Sequence, residues 1–280
     1  MRLFKIVQFV LVFLLSSGLV FAENITSTAA TTKIAEEFPA RKFFPTVPHI
    51  SLDELYKNKA KYIIVDVRSK YEFETLRIKG ARNIPLSSSN FVVEMQKLRI
   101  NYPNTKIVVY CNGKTCKKSY QAVKKCKAKR IPNVIAYDAG IMDWAKKYPK
   151  DSILLGTNPI DTKQLIAKTE FKKRLIGTKK FGQFLAGKNI IVLDVRDQFQ
   201  REGLGLFPGI DKRVYLDDRD SIIRYVNKAK KERKTLLVYD ATGKQVRWLM
   251  YTLESMNLKN YYFMEGGADA YYSDMRNNLL

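Results

Sequence analysis

The sequence holds 280 residues, 46% hydrophobic and 12% aromatic, which is ample apolar surface for one large or two ordinary packed domains. Lysine and arginine outnumber aspartate and glutamate 50 to 27, a formal charge of +23 that attracts anions of every size, yet no helix-turn-helix, zinc or aromatic-glycine RNA motif accompanies it, which speaks against a nucleic-acid partner. The single histidine and all three cysteines fall in the first half, so a conventional zinc site would lack enough His and Cys ligands in the second half, and three clustered thiols do not make a stapling framework.

Along the chain, Arg2 and Lys5, an apolar run from Ile6 to Leu15 and the small-residue end Val20-Phe21-Ala22 have the order of an export signal over 1–22, which places the mature chain in a periplasmic or secreted compartment. A retained membrane helix is the weaker reading, because Gln8 and Ser16-Ser17-Gly18 interrupt a run that is short beside the roughly 20 apolar residues a bilayer needs. With the signal cleaved, no stable membrane insertion is expected. Residues 23–44 are rich in Thr, Ala and Ser without apolar periodicity and read as a flexible leader. His49, in Pro48-His49-Ile50, precedes the first helix and reads as structural.

Ser51 to Asn58 reads as a capped helix, and Tyr62-Ile-Ile-Val-Asp66-Val-Arg68 as a strand buried on both faces. Ile107-Val-Val-Tyr110 is a second such strand and delivers Cys111. Cys126 falls on the apolar side of the next helix with Ala122 and Val123, where it packs against the sheet. Then the chain repeats itself: Lys179 to Leu185 takes the helix position, Ile190 to Arg196 repeats the strand with its Asp194-Val-Arg196 ending, Leu236 to Tyr239 precedes Asp240 as Ile107 to Tyr110 precedes Cys111, and Tyr261 to Gly267 matches Ile135 to Gly140. Strands alternating with helices, duplicated at this length, imply an α/β fold of two mainly parallel sheets flanked by helices. The expected domains are 45–150 and 168–280, joined by a linker over 151–167 that contains Gly156, Asn158 and Pro159.

Asp66-Val-Arg68, Tyr71-Glu72-Phe73 and Ile78-Lys-Gly80-Ala81-Arg-Asn83-Ile84-Pro85 resemble the opening signature of a rhodanese-like domain. Tyr110-Cys111 opening a Gly-containing loop, Ser119 in the following helix, and Asp138-Ala-Gly140 with Trp144 stand in the order of that family's active-site loop and closing motif. Two departures accompany the resemblance. Arg77 stands where the family commonly has histidine, and the loop is longer than the commoner form, carrying a second cysteine, Cys116, in the manner of CxxxxC-type rhodaneses. The second copy reads Asp240-Ala-Thr-Gly243-Lys244-Gln-Val-Arg247 and has no nucleophilic sulfur, so the chain resembles a tandem rhodanese with one active and one inactive domain.

The resemblance implies a thiosulfate sulfurtransferase. Cys111 is the catalytic residue; Asn112, Gly113, Lys114, Thr115, Cys116, Lys117 and Lys118 form the substrate-binding loop; Asp66 and Arg68 fix the strand end; neither metal nor cofactor is required. The residues themselves suit that chemistry. A thiol attacks as thiolate, and its free pKa of about 8.5 falls beside oriented N–H groups and cations. A helix beginning near Cys116 or Lys117 aims its N-terminus at Cys111, Gly113 permits the curl, and no carboxylate occurs between Glu94 and Asp138 to oppose Lys114, Lys117 and Lys118. The same cradle suits a small sulfur oxyanion, whose outer sulfur Cys111 takes as a persulfide before passing it to cyanide, to a thiol or to a protein sulfur acceptor.

Cys116 has three roles open to it: attack on the persulfide, a disulfide with Cys111, or a mere place at the helix start. Rival functions follow. A Cys-x5-Arg phosphatase or arsenate reductase is disfavoured because Lys117 stands at the arginine position and Tyr110 precedes the cysteine. An exported thiol-redox or sensing protein using Cys111 and Cys116, and a non-catalytic anion- or partner-binding module, are the remaining alternatives.

Overall fold

The computed structural model describes residues 36–196 and 205–279. The expected export signal, and the leader up to residue 35, lie outside the described residues. The chain forms two compact units, one built from residues up to Val67 together with Ser88–Asp143, the other from Arg68–Ser87 and from Trp144 onward.

In chain order the strands are β1 His49–Ile50, β2 Tyr62–Asp66, β3 Leu76–Ile78, β4 Arg82–Asn83, β5 Lys106–Tyr110, β6 Val134–Tyr137, β7 Ser152–Leu154, β8 Leu175–Ile176, β9 Ile190–Asp194, β10 Asp211–Arg213, β11 Thr235–Tyr239 and β12 Tyr261–Met264. One five-stranded sheet runs β1-β6-β5-β2-β4 and the other β8-β12-β11-β9-β10, the same order twice. In the first, β5 pairs in parallel with β2 and β6; in the second, β11 pairs in parallel with β9 and β12. This is the α/β architecture expected from the alternating pattern.

The strands form where the apolar runs are continuous. Ile107 to Tyr110 and Leu236 to Tyr239 are fully buried, as strands flanked on both faces by helices must be. Each such Val, Ile or Leu side chain contributes at most roughly 1.5–3 kcal/mol. Helix boundaries follow their caps: Ser51 accepts from the Glu54 N–H at the start of Leu52–Lys57. Ser69 and Glu72 close a capping box on Lys70–Thr75, which gives Glu72 of the Tyr71-Glu72-Phe73 motif a structural duty.

Two segments read as connectors carry regular structure. Residues 152–154, inside the expected linker, form β7, antiparallel to β3 with Arg77 opposite Ile153, and Thr162–Gln164 makes a 3-10 turn. Residues 36–44 are not a free leader. Ala40 is buried, Arg41–Phe43 is a 3-10 turn, and the Phe44 ring stacks on Tyr120 with centroids 5.1 Å apart. Arg41 forks onto Asp138 at 2.8 and 3.2 Å, while the Tyr120 hydroxyl donates to the same carboxylate at 2.5 Å. Asp138 is almost wholly buried, so this paired arginine is what makes its charge tolerable there.

Candidate active site

β5 ends at Tyr110, registered against Asp66 on β2 and Tyr137 on β6, and hands the chain to Cys111 at the carboxyl edge of the sheet. Its backbone is tied on both sides: Tyr110 O accepts from Val67 N–H at 3.1 Å and Cys111 O accepts from Ile141 N–H at 3.0 Å. Open parallel sheets place their ligands at this edge. From there residues 112–117 curl into the helix Lys118–Ala128, which starts slightly later than the sequence suggests.

Gly140 makes room for the curl. At φ +73° it sits in the left-handed region, and a Cβ there would stand 2.3 Å from Gly113 N and 2.7 Å from the Asn112 carbonyl carbon. The loop therefore rests directly on the backbone of Gly140. The turn from Gly113 to Cys116 is closed by the Cys116 N–H donating to Gly113 O at 2.8 Å.

Cys111 is fully buried, and its Sγ lies 3.6 Å from Ser119 Oγ and 3.6 Å from Cys116 O. Cys116 is half-buried, and the approach of the Cys111 sulfur to its carbonyl sets the two cysteines side by side. The electrostatics differ from the expectation for Cys111. Burial pushes the Cys111 thiol well above its usual range, and the Cys116 sulfur beside it pushes further; the Ser119 hydroxyl and amide oppose this only in part. The hydrogen bond from Cys111, with the Lys118 and Asn112 amides, brings Cys116 down to about 6 against its own burial. At the helix start the Lys118 amide serves Cys116, while the Ser119 amide serves Cys111.

The lysine cradle is also partly spent. Lys114 pairs with Glu37 at 2.6 Å and Asp143 at 3.0 Å, carboxylates that lie near it in space and not in sequence. The Lys114 ammonium also lies 5.5 Å from the Phe38 ring centroid, and Lys117 lies 4.2 Å from that of Phe43. Segment 36–44 thus grips the loop through two of its lysines. Asn112, Gly113 and Lys118 are half-buried along the loop and Thr115 is exposed. Cys126, fully buried with its thiol raised to about 12 by burial, packs on the sheet as its position in the helix implies. His49 is exposed on β1, opposite Ala136.

Arg68, expected to brace the strand end, donates to Leu76 O at 2.5 Å and lies with its guanidinium 4.9 Å from the Trp248 ring centroid. In the second copy, the corresponding Arg196 grips Asp194 through two bonds of 2.9 and 2.8 Å. Both arginines are buried and structural.

The second copy reproduces the backbone of the site. Tyr239 O accepts from Val195 N–H at 2.9 Å, Asp240 O accepts from Ala268 N–H at 2.8 Å, and a Cβ on Gly267 (φ +61°) would meet Asp240 O at 2.5 Å. Asp240 therefore occupies the place of Cys111. Its carboxylate accepts four loop amides: Thr242 at 3.0 Å, Gly243, Gln245 at 2.5 Å and Val246 at 3.1 Å. Burial raises the carboxyl while these four amides pull it back. The anion nest of this loop is filled by the chain's own anion, an arrangement that requires distances between amides and carboxylate and is therefore invisible in the sequence.

Residues 51–147 match the family model described as Rhodanese-like domain. A tRNA uridine(34) hydroxylase from Bdellovibrio bacteriovorus is 23% identical over 132 residues; the match takes in 47% of this chain, which spans only 37% of that relative's length. Among solved structures, the thiosulfate sulfurtransferase of Pseudomonas aeruginosa aligns over 84% of this chain and 47% of its own, at 17% identity and a TM-score of 0.33. The BH2092 protein of Bacillus halodurans aligns over 54% of this chain and 98% of its own, at 18% identity and a TM-score of 0.35.

Proposed function

We propose that the protein is an exported sulfurtransferase that carries sulfane sulfur as a persulfide on Cys111, taking it from thiosulfate or a related donor and passing it to cyanide or a thiol. The observation that carries this reading is the pair of free cysteines at the end of β5: a buried thiol, Cys111, whose sulfur lies 3.6 Å from the Cys116 carbonyl, beside the Cys116 sulfur, which is held low in pKa and can take up its proton. The rhodanese-like match over residues 51–147, which includes both sulfurs, supports it.

The steps follow from the groups present. As a sulfur oxyanion approaches the loop, Cys111 loses its proton to Cys116 and attacks the donor's outer sulfur, releasing sulfite. The Ser119 hydroxyl and amide face the Cys111 sulfur and stabilise the charge that develops on it. Burial of Cys111 keeps the persulfide from bulk water until an acceptor enters. The inactive copy supplies no second turnover site, because Asp240 fills its own nest.

The test is sulfite release from thiosulfate with cyanide as acceptor, followed in the full chain. With cyanide in excess and a dithiol present to keep the cysteines reduced, wild type should turn over with release of sulfite, and Cys111→Ser should fall at least about 10³-fold, the order expected for loss of a nucleophile. Equal rates in the two proteins would end the proposal.

A further inference from the structure

The half-buried sulfur beside Cys111 is better placed than any outside molecule to meet a persulfide there. Cys111 is fully buried, so an external thiol must enter a closed loop to reach it. Cys116 already stands against the Cys111 sulfur, its carbonyl 3.6 Å away and its backbone held by the Gly113–Cys116 turn, and the remaining cysteine, Cys126, is buried in the packed side of the helix Lys118–Ala128. An internal group in contact competes at an effective concentration orders of magnitude above that of a free thiol.

We infer that Cys116 is a second catalytic sulfur, which attacks the Cys111 sulfur of the persulfide, expels hydrosulfide and leaves a Cys111–Cys116 disulfide. This rests on the persulfide reading above and adds an activity to it: the domain reduces sulfane sulfur to sulfide. The balance closes without an outside oxidant. Two thiols and thiosulfate give one disulfide, hydrosulfide and hydrogen sulfite; the S–S bond of thiosulfate breaks, then that of the persulfide, and the sulfane sulfur gains the two electrons that the thiols lose. A dithiol reductant resets the pair.

Three features of the loop fit this role. Both thiols are free, and the Cys111 sulfur lies against residue 116, 3.6 Å from its carbonyl, so the disulfide is one exchange step away. The attacking sulfur carries the proton taken from Cys111 in the first step and passes it to the departing hydrosulfide, while the Lys118 and Asn112 amides favour the thiolate that attacks. The sulfur attacked is the one without solvent access, where hydrosulfide, and not a bulky group, must leave.

The experiment is a single turnover of the full, reduced and desalted chain with thiosulfate under anaerobic conditions and without reductant. Sulfite and sulfide are assayed, and the alkylated protein is weighed by mass spectrometry. Wild type should release about one sulfite and one sulfide per chain and end with the 111–116 disulfide, as expected for exchange within a pair in contact. Cys116→Ala should release no sulfide. Sulfite release with a persulfide that persists in wild type would overturn the inference while leaving sulfur transfer standing, as would equal sulfide from Cys116→Ala. No sulfite and no added sulfur in wild type would remove the persulfide reading itself, and the inference with it.

Discussion

Asp240→Ala is the most direct test of how the second copy is built. The carboxylate is buried and satisfies the N–H groups of Thr242, Gly243, Gln245 and Val246. Removing it leaves four donors facing a void the size of a carboxyl group, and each buried donor left unpaired costs about 1–3 kcal/mol. Against that stands relief from holding a charged group out of water, and entry of water to some of the amides. The net loss should be about 3 kcal/mol, near the low end for breaking a buried charged network. At about 2–4 °C per kcal/mol, the melting point of this unit should fall by roughly 6–12 °C. The emptied nest should then accept a tetrahedral oxyanion in place of the carboxylate. Sulfate at about 100 times its dissociation constant would return about 2.7 kcal/mol. Thermal unfolding of wild type and Asp240→Ala, in sulfate and in chloride at matched ionic strength, separates this from the general salting-out effect that both share. A variant within about 0.5 kcal/mol of wild type, or one that gains no more from sulfate than wild type does, would refute the filled-nest account.

Two further outcomes follow from the first copy. Alkylation of Cys116 by iodoacetamide should rise between pH 5 and 7 with a midpoint near 6, because the folded thiol is depressed to about 6 and the thiolate reacts; in Cys111→Ala the midpoint should move up, since the largest contribution to the depression is the Cys111 hydrogen bond. An unmoved midpoint would mean that the amides alone hold it. Gly140→Ala should cost about 1–2 kcal/mol for the left-handed backbone and further for the Cβ against Gly113, with sulfite release lost, whereas Gly80→Ala, at φ +86° with nothing within 4 Å, should show the backbone cost alone. Denaturant midpoints and activity of the two variants make the comparison.

The fold was legible where one local pattern determines one element. Ser51 three residues ahead of Glu54, and unbroken runs such as Ile107 to Tyr110, name a capped helix and a buried strand whatever surrounds them. The equivalence of Asp240 and Cys111 could be read from their identical place after matching strands, and the backbone bonds to Ala268 and Ile141 bear it out. What the pattern could not reach was anything decided through space. The scarcity of acidic residues between Glu94 and Asp138 suggested an uncompensated cradle, yet Glu37 and Asp143 meet Lys114 from outside that window. Nothing in Thr-, Ala- and Ser-rich composition showed that Ala40, Arg41 and Phe44 would pack, because their partners Asp138 and Tyr120 lie far along the chain. The amides at the helix start were foreseeable. Which of two cysteines they face depends on the curl of a single turn.

The two copies together show what a loop of this kind demands of the residue that enters it. In each, strand, loop and helix N-terminus aim amides into one small space, and something anionic must fill that space. Asp240 fills it with two oxygens that accept four amides. Cys111 brings no such anion. Its thiol keeps its proton, and the charge appears one turn further on, at Cys116, nearer the surface. The second helix starts at Val246, one position earlier relative to Asp240 than Lys118 stands relative to Cys111, and Gln245 spends its amide on the carboxylate where Cys116 offers a sulfur. The longer loop is therefore what separates a proton-holding sulfur from a charge-holding one, and that separation is the condition for one to carry a sulfur atom while the other displaces it.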